Sequence, residues 1–323
     1  MPHRLLPVAL LGGILIGLAA CGILDPRPSA APAAGAGQWR PGPAARQPLT
    51  QVAAAAHDGR IWVVGGLDAG GGAVASVQVF DPAHGTWDTG PSLVEPIHHA
   101  ALVSDGERLS LVGGFGFDGQ PRDRVWILQL AGGDLAWAED RPLPEPRAAG
   151  AAAWDGAGRI VYAGGVGPDG VSADVLVQED HGWRQLGELS EAREHLAATS
   201  DGRGSVFVLG GRRGDLDTNQ ATVDVVSRAG VRRLGELPTR RGGVAAFFWP
   251  AVGACLVGGE SPGGTHGEVE CIDASGTLTT LPSLRQPRHG LGAAVLDGVA
   301  YSMLGGPEPG LFVADTVESL TLP

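Results

Sequence analysis

The chain has 323 residues, 43% of them hydrophobic, with a formal net charge of −12. That acidity excludes a nucleic-acid-binding role, which needs a dominant basic surface. Its 53 glycines follow no Gly-X-Y period, so collagen is excluded and many tight turns are implied.

Met1–Arg4 is short and basic, and Leu5–Ala20 is almost wholly apolar or small. The apolar run is too short to span a bilayer comfortably and reads as a signal peptide over 1–20. It ends in Leu18-Ala19-Ala20-Cys21, which resembles the bacterial lipobox. The resemblance implies cleavage before Cys21, attachment of several acyl chains to Cys21 as the mature first residue, and anchoring to a membrane of the bacterial cell envelope. Gly22 follows the cysteine rather than Asp, which points to the outer membrane where the cell has one. Residues 21–36, rich in Pro, Ala and Gly, read as a flexible tether, and 37–323 as the folded domain.

From residue 39 the chain repeats. Gly-Gly pairs close short apolar runs at 65–66, 113–114, 164–165, 210–211, 258–259 and 305–306, at spacings of 48, 51, 46, 48 and 47. A small-residue segment and a turn, Asp-Gly in five units, precede each run, and a polar loop and a third run follow it. A fourth segment begins near Trp87, Trp137, Trp183, Val231 or Leu278. Six units of four short antiparallel strands predict an all-β, six-bladed propeller. Ala-rich first runs suit innermost strands crowding around an axis.

Trp39 lies 26 residues before Gly65, the spacing that separates Trp87 from Gly113. The last unit stops after its third run. The segment near Trp39 is therefore expected to supply the outer strand of blade 6 and seal the ring.

The diglycine, the Trp that follows it and the repeat length resemble the kelch family over essentially 39–323. The pattern departs from the family in two of six Trp positions and in most aromatics before Gly-Gly.

Arg147, Arg193, Arg241 and Arg288 each lie 17 residues before a Gly-Gly. His98 and His99 hold nearly the same place in blade 2, Arg46 is displaced by two in blade 1, and His195 and His289 adjoin two of the arginines. Placed around a channel mouth, this set would form a positive funnel for an anionic ligand. The other reading is structural, with each Arg tying its connection to a blade carboxylate; the kelch resemblance favours it for some of them. Cys255 and Cys271 face each other across a hairpin centred near 263 and are expected to form a disulfide, which export permits. The nine His form no ligand-spaced cluster, so neither metal nor other cofactor is expected.

No nucleophile–base pair or paired carboxylates recur in a convincing place. The primary reading is thus a monomeric, lipid-anchored binding scaffold for a protein or carbohydrate rather than an enzyme. The alternative is an enzyme on anionic sugars, similar to the periplasmic sialic-acid mutarotases, with the Arg ring on the carboxylate and Glu194 or His195 as acid–base groups. The copper radical oxidases of the kelch class fit less well, because only Tyr162 and Tyr301 are present.

Overall fold

The computed structural model describes residues 30–32, 37–179 and 182–321. The expected signal peptide and Cys21 lie outside the described residues. No helix among the described residues is long and apolar enough to cross a membrane.

The chain forms six four-stranded antiparallel blades around one axis. In blade 1 the strands, from the axis outward, are A (Ala53–His57), B (Arg60–Val64), C (Val77–Asp81) and D (Thr86–Thr89). The other inner strands are Ala101–Ser104, Ala151–Trp154, Ala197–Ser200, Ala245–Trp249 and Gly292–Leu296. Each packs on the next, and the sixth on the first. Their small side chains permit that approach. Strands B and C carry most of the core, in runs such as Val206–Leu209 that are buried along their whole length.

Blade 6 takes its outer strand from the other end of the chain. Arg40 and Pro41 pair with Ser319 and Glu318 of its third strand. Trp39 beside them is fully buried, and its indole N–H donates to the Pro282 carbonyl of blade 5 at 2.7 Å. The same bond recurs around the ring: Trp87 to Pro43, Trp137 to Pro91 and Trp183 to Arg141. Each indole reaches the carbonyl four residues beyond the equivalent position of the preceding blade. Val231 and Leu278 fill the site without a donor, which explains why those two replacements are apolar. Ala31 and Pro32, within the expected tether, add a short parallel strand to the outer edge of blade 5 at Thr279 and Thr280.

The diglycine is a backbone crossing point. The first glycine holds φ near +62° in blades 1 to 4, and a Cβ on Gly113 would lie 2.3 Å from the Arg147 carbonyl oxygen. The second glycine donates its N–H to that same carbonyl at 2.8 Å. At Gly113 the approach leaves no room for a Cβ. In blade 6 the sequence alignment is off by one. Leu304 (φ +57°) and Gly305 (φ +91°) hold the two positions, and Gly305 donates to Leu49.

Cys255 and Cys271 are directly opposite on strands B and C of blade 5 and are bonded, with an S–S distance of 2.07 Å.

Candidate functional site

Three successive residues of each D–A connection build the face that carries the B–C loops. The first is Leu49, Ile97, Arg147, Arg193, Arg241 or Arg288; its carbonyl receives the diglycine N–H of the preceding blade. Sequence spacing groups Arg46 and the histidines with these arginines, but the structural equivalents in blades 1 and 2 are the buried Leu49 and Ile97. Arg46 is exposed and donates to the Trp87 carbonyl.

The four arginines do not line the mouth. Arg193 and Arg241 have no exposed surface, and Arg147 and Arg288 almost none. Each is paired with a carboxylate on strand C of its own blade: Arg147 with Asp174 at 2.6 Å, Arg193 with Asp224 at 2.6 Å, Arg241 with Glu270 at 3.4 Å and Arg288 with Glu318 at 2.6 Å. Arg193 also donates to the Val208 and Thr222 carbonyls of strands B and C, and Arg288 to the Leu304 and Thr316 carbonyls next to those strands. Three of these carboxylates also accept backbone N–H groups at the start of the connection: Asp224 from Ser190, Glu270 from Thr239, and Glu318 from Arg285 and Gln286. The guanidinium thus ties the connection to its blade. The physical reason is burial: an unpaired cation would be too costly there, so each is neutralised within its own blade.

The second residue of the triplet bridges to the residue after the diglycine step. The six pairs are Thr50–Leu67, His98–Phe115, Ala148–Val166, Glu194–Arg212, Gly242–Glu260 and His289–Gly306. The third residue forms a belt around the axis: Gln51, His99, Ala149, His195, Gly243 and Gly290, all with φ between 53 and 64°. Each N–H from His99 onward donates to the carbonyl of its predecessor at 2.8–3.1 Å, and Val52 closes the circle by donating to Gly290 at 3.4 Å. The belt holds four non-glycine residues left-handed because six hydrogen bonds over-determine the backbone.

On this belt sits a polar cluster. Arg212 bridges two buried carboxylates, donating from Nε to Glu194 Oε1 at 3.1 Å and from Nη1 to Glu260 Oε1 at 2.8 Å. Glu194 also meets His195 Nδ1, and His195 Nε2 lies 2.9 Å from His99 Nε2. His99 Nδ1 in turn meets His98 Nδ1, and Phe115 packs on both of these rings. His289 Nδ1 stands 3.6 Å from Glu260 and 3.5 Å from Gln51 Nε2. Burial drives the pKa of His98 down to about 4, and those of His99 and His195 well below the usual range, with neighbouring His and the Arg212 charge adding to the last two. Burial lowers His289 as well. At neutral pH His98, His99 and His195 therefore carry no charge. Beside them two carboxylates, Glu194 and Glu260, stand against the single guanidinium of Arg212, so the cluster is acidic in balance rather than a positive funnel.

Beneath the belt the channel holds a cavity of about 70 Å³. At the opposite end it opens into a well of about 280 Å³ lined by alanines with Ser104, Trp154, Thr199, Ser200 and Phe248. Around the mouth, Phe117 (75% exposed), Leu311 and Phe312 project from the B–C loops of blades 2 and 6.

The sequence brings out Glu194, His98, His99, His195 and His289, and the structure gathers all five around Arg212. It missed Glu260 and Gln51. The residue after Gly-Gly is apolar in blades 1 to 3 and becomes Arg212 and Glu260 in blades 4 and 5, a break in pattern that could have revealed Glu260. Among the described residues no group of three or more His, Cys, Asp or Glu side chains is arranged so that it could hold a metal ion.

A search of curated proteins finds no match to the chain. The model of the Kelch motif matches residues 48–94, which run from the connection before blade 1 through its four strands to the next connection, so this six-bladed propeller carries a Kelch motif.

Proposed function

We propose that the protein is an exported, lipid-anchored scaffold that binds a neutral carbohydrate on its B–C loop face. The observation that carries the ligand class is Arg212 held between Glu194 and Glu260 beside uncharged histidines. Such a floor offers many hydrogen-bond donors and acceptors, which suits hydroxyl groups. Its net negative charge disfavours a carboxylated sugar. The exposed Phe117, Phe312 and Leu311 supply apolar faces at the rim, the usual complement to a few fixed polar groups.

Export is supported by the Cys255–Cys271 disulfide, a bond favoured in oxidising compartments, together with the Leu18–Cys21 motif. Metabolic labelling with a fatty acid tests the anchor: label should enter the wild-type chain and be lost in Cys21→Ser. Equal labelling of both would refute it.

A glycan array probed with residues 37–323 tests the ligand. Neutral glycans should be retained, and Arg212→Ala or Phe117→Ser should each weaken binding at least tenfold. Retention of sialylated or uronic glycans alone would contradict the reading, as would binding indifferent to both substitutions.

A further inference from the structure

The side chains of Glu194, His195, His99 and His98 form one unbroken chain of hydrogen bonds across blades 2 and 4. The polarity of that chain is fixed at one end. Glu194 Oε1 accepts Arg212 Nε at 3.1 Å and the Gly214 N–H at 3.3 Å, so this carboxylate is held ionised, leaving Oε2 as an acceptor for His195.

A neutral imidazole has one N–H and one lone pair, so the remaining tautomers follow in sequence. His195 donates from Nδ1 to Glu194 and accepts at Nε2. His99 therefore donates from Nε2 and accepts at Nδ1. His98 then donates from Nδ1, which leaves its Nε2 as a lone pair with no partner among the described residues. Each of the three contacts holds one hydrogen, and every ring is neutral. Arg212, Glu260 and His289 are the other charged or titratable groups facing the chain, and Gln51 and Phe115 complete its surroundings.

We propose that Glu194, His195, His99 and His98 are a proton relay that gives the mouth an acid–base activity toward a ligand bearing an exchangeable hydroxyl proton. In the forward direction the ligand O–H bond breaks and its proton bonds to His98 Nε2. His98 passes its Nδ1 proton to His99 Nδ1, His99 passes its Nε2 proton to His195 Nε2, and His195 passes its Nδ1 proton to Glu194 Oε2. The net change moves one negative charge from Glu194 to the ligand oxygen, and reversal along the same bonds returns the proton. No oxidant or other co-reactant enters. His98 is the residue that meets the ligand; His99, His195 and Glu194 act through it. The hydroxyl-bearing ligand rests on the carbohydrate reading above, whereas the order of protons in the chain does not.

The test is a long-range ¹⁵N–¹H correlation spectrum of the histidine side chains in the full chain, recorded without ligand between pH 6 and 8. The relay requires His98 and His195 as Nδ1–H tautomers and His99 as Nε2–H. In Glu194→Ala the anchor is lost, and the His98 tautomer, three hydrogen bonds away, should change with those of His195 and His99. A second variant, His99→Phe, cuts the chain: His195 should stay Nδ1–H while His98 loses its Nδ1–H preference, which decides the matter even where Glu194→Ala fails to fold. Any other wild-type tautomer pattern, or a His98 indifferent to both substitutions, overturns the relay. A negative glycan array overturns the ligand class alone, because the spectra contain no ligand.

Discussion

Arg193 illustrates how a buried ion can be structural. With no exposed surface, it pairs with Asp224 at 2.6 Å and donates to the Thr222 and Val208 carbonyls. Arg193→Met removes the cation and strands Asp224, so it should lower unfolding free energy by about 3–5 kcal/mol. The double substitution Arg193→Met with Asp224→Leu should recover much of that loss, because no charge is left buried alone. Urea denaturation of the three proteins measures both effects; equal losses in the single and double variants would show that the carboxylate is not the source of the cost. The histidines give a pH dependence. His98 has its folded pKa lowered to about 4, and His99 and His195 are shifted the same way. Between about pH 6.5 and 4 the unfolded chain binds protons that the folded chain refuses, so stability rises with pH across that window. It should be fully present above about 6.5 and fall on acidification, seen as a drop in Tm that His98→Gln reduces.

At the scale of elements, the ring closure rests on a short strand. Trp39→Ala empties a fully buried indole site between blades 5 and 6 and should cost about 3–5 kcal/mol. Trp39→Phe keeps most of the packing and loses one hydrogen bond, so its cost should be nearer 1 kcal/mol. A chain beginning at residue 46 lacks the strand altogether and should unfold at lower urea with a broader transition. What the sequence made legible follows from the same repetition. Diglycine and Trp spacing reveal blades and closure because every unit meets the same packing constraint. The partners of the arginines were hidden, since Asp174, Asp224, Glu270 and Glu318 lie 27 to 31 residues downstream, at offsets that differ from blade to blade. The shift in blade 6 was hidden as well, because Gly306 imitates the second glycine while Leu304 takes the left-handed first position. The belt leaves no trace in residue type. Gln, His, Ala and Gly share only a backbone conformation.

At the scale of the molecule, the propeller has two unlike ends. One is an open, alanine-walled well; the other is closed by a hydrogen-bonded belt and carries an acidic, histidine-rich cluster under an apolar rim. The central claim is that the second end binds the ligand. Hydrogen–deuterium exchange of residues 37–323, with and without the tightest neutral glycan from the array, tests it directly. Exchange should slow in the segments around 98–99, 115–119, 194–195, 212–214 and 310–312. Protection confined to the well, at 104, 154, 200 and 248, would contradict it.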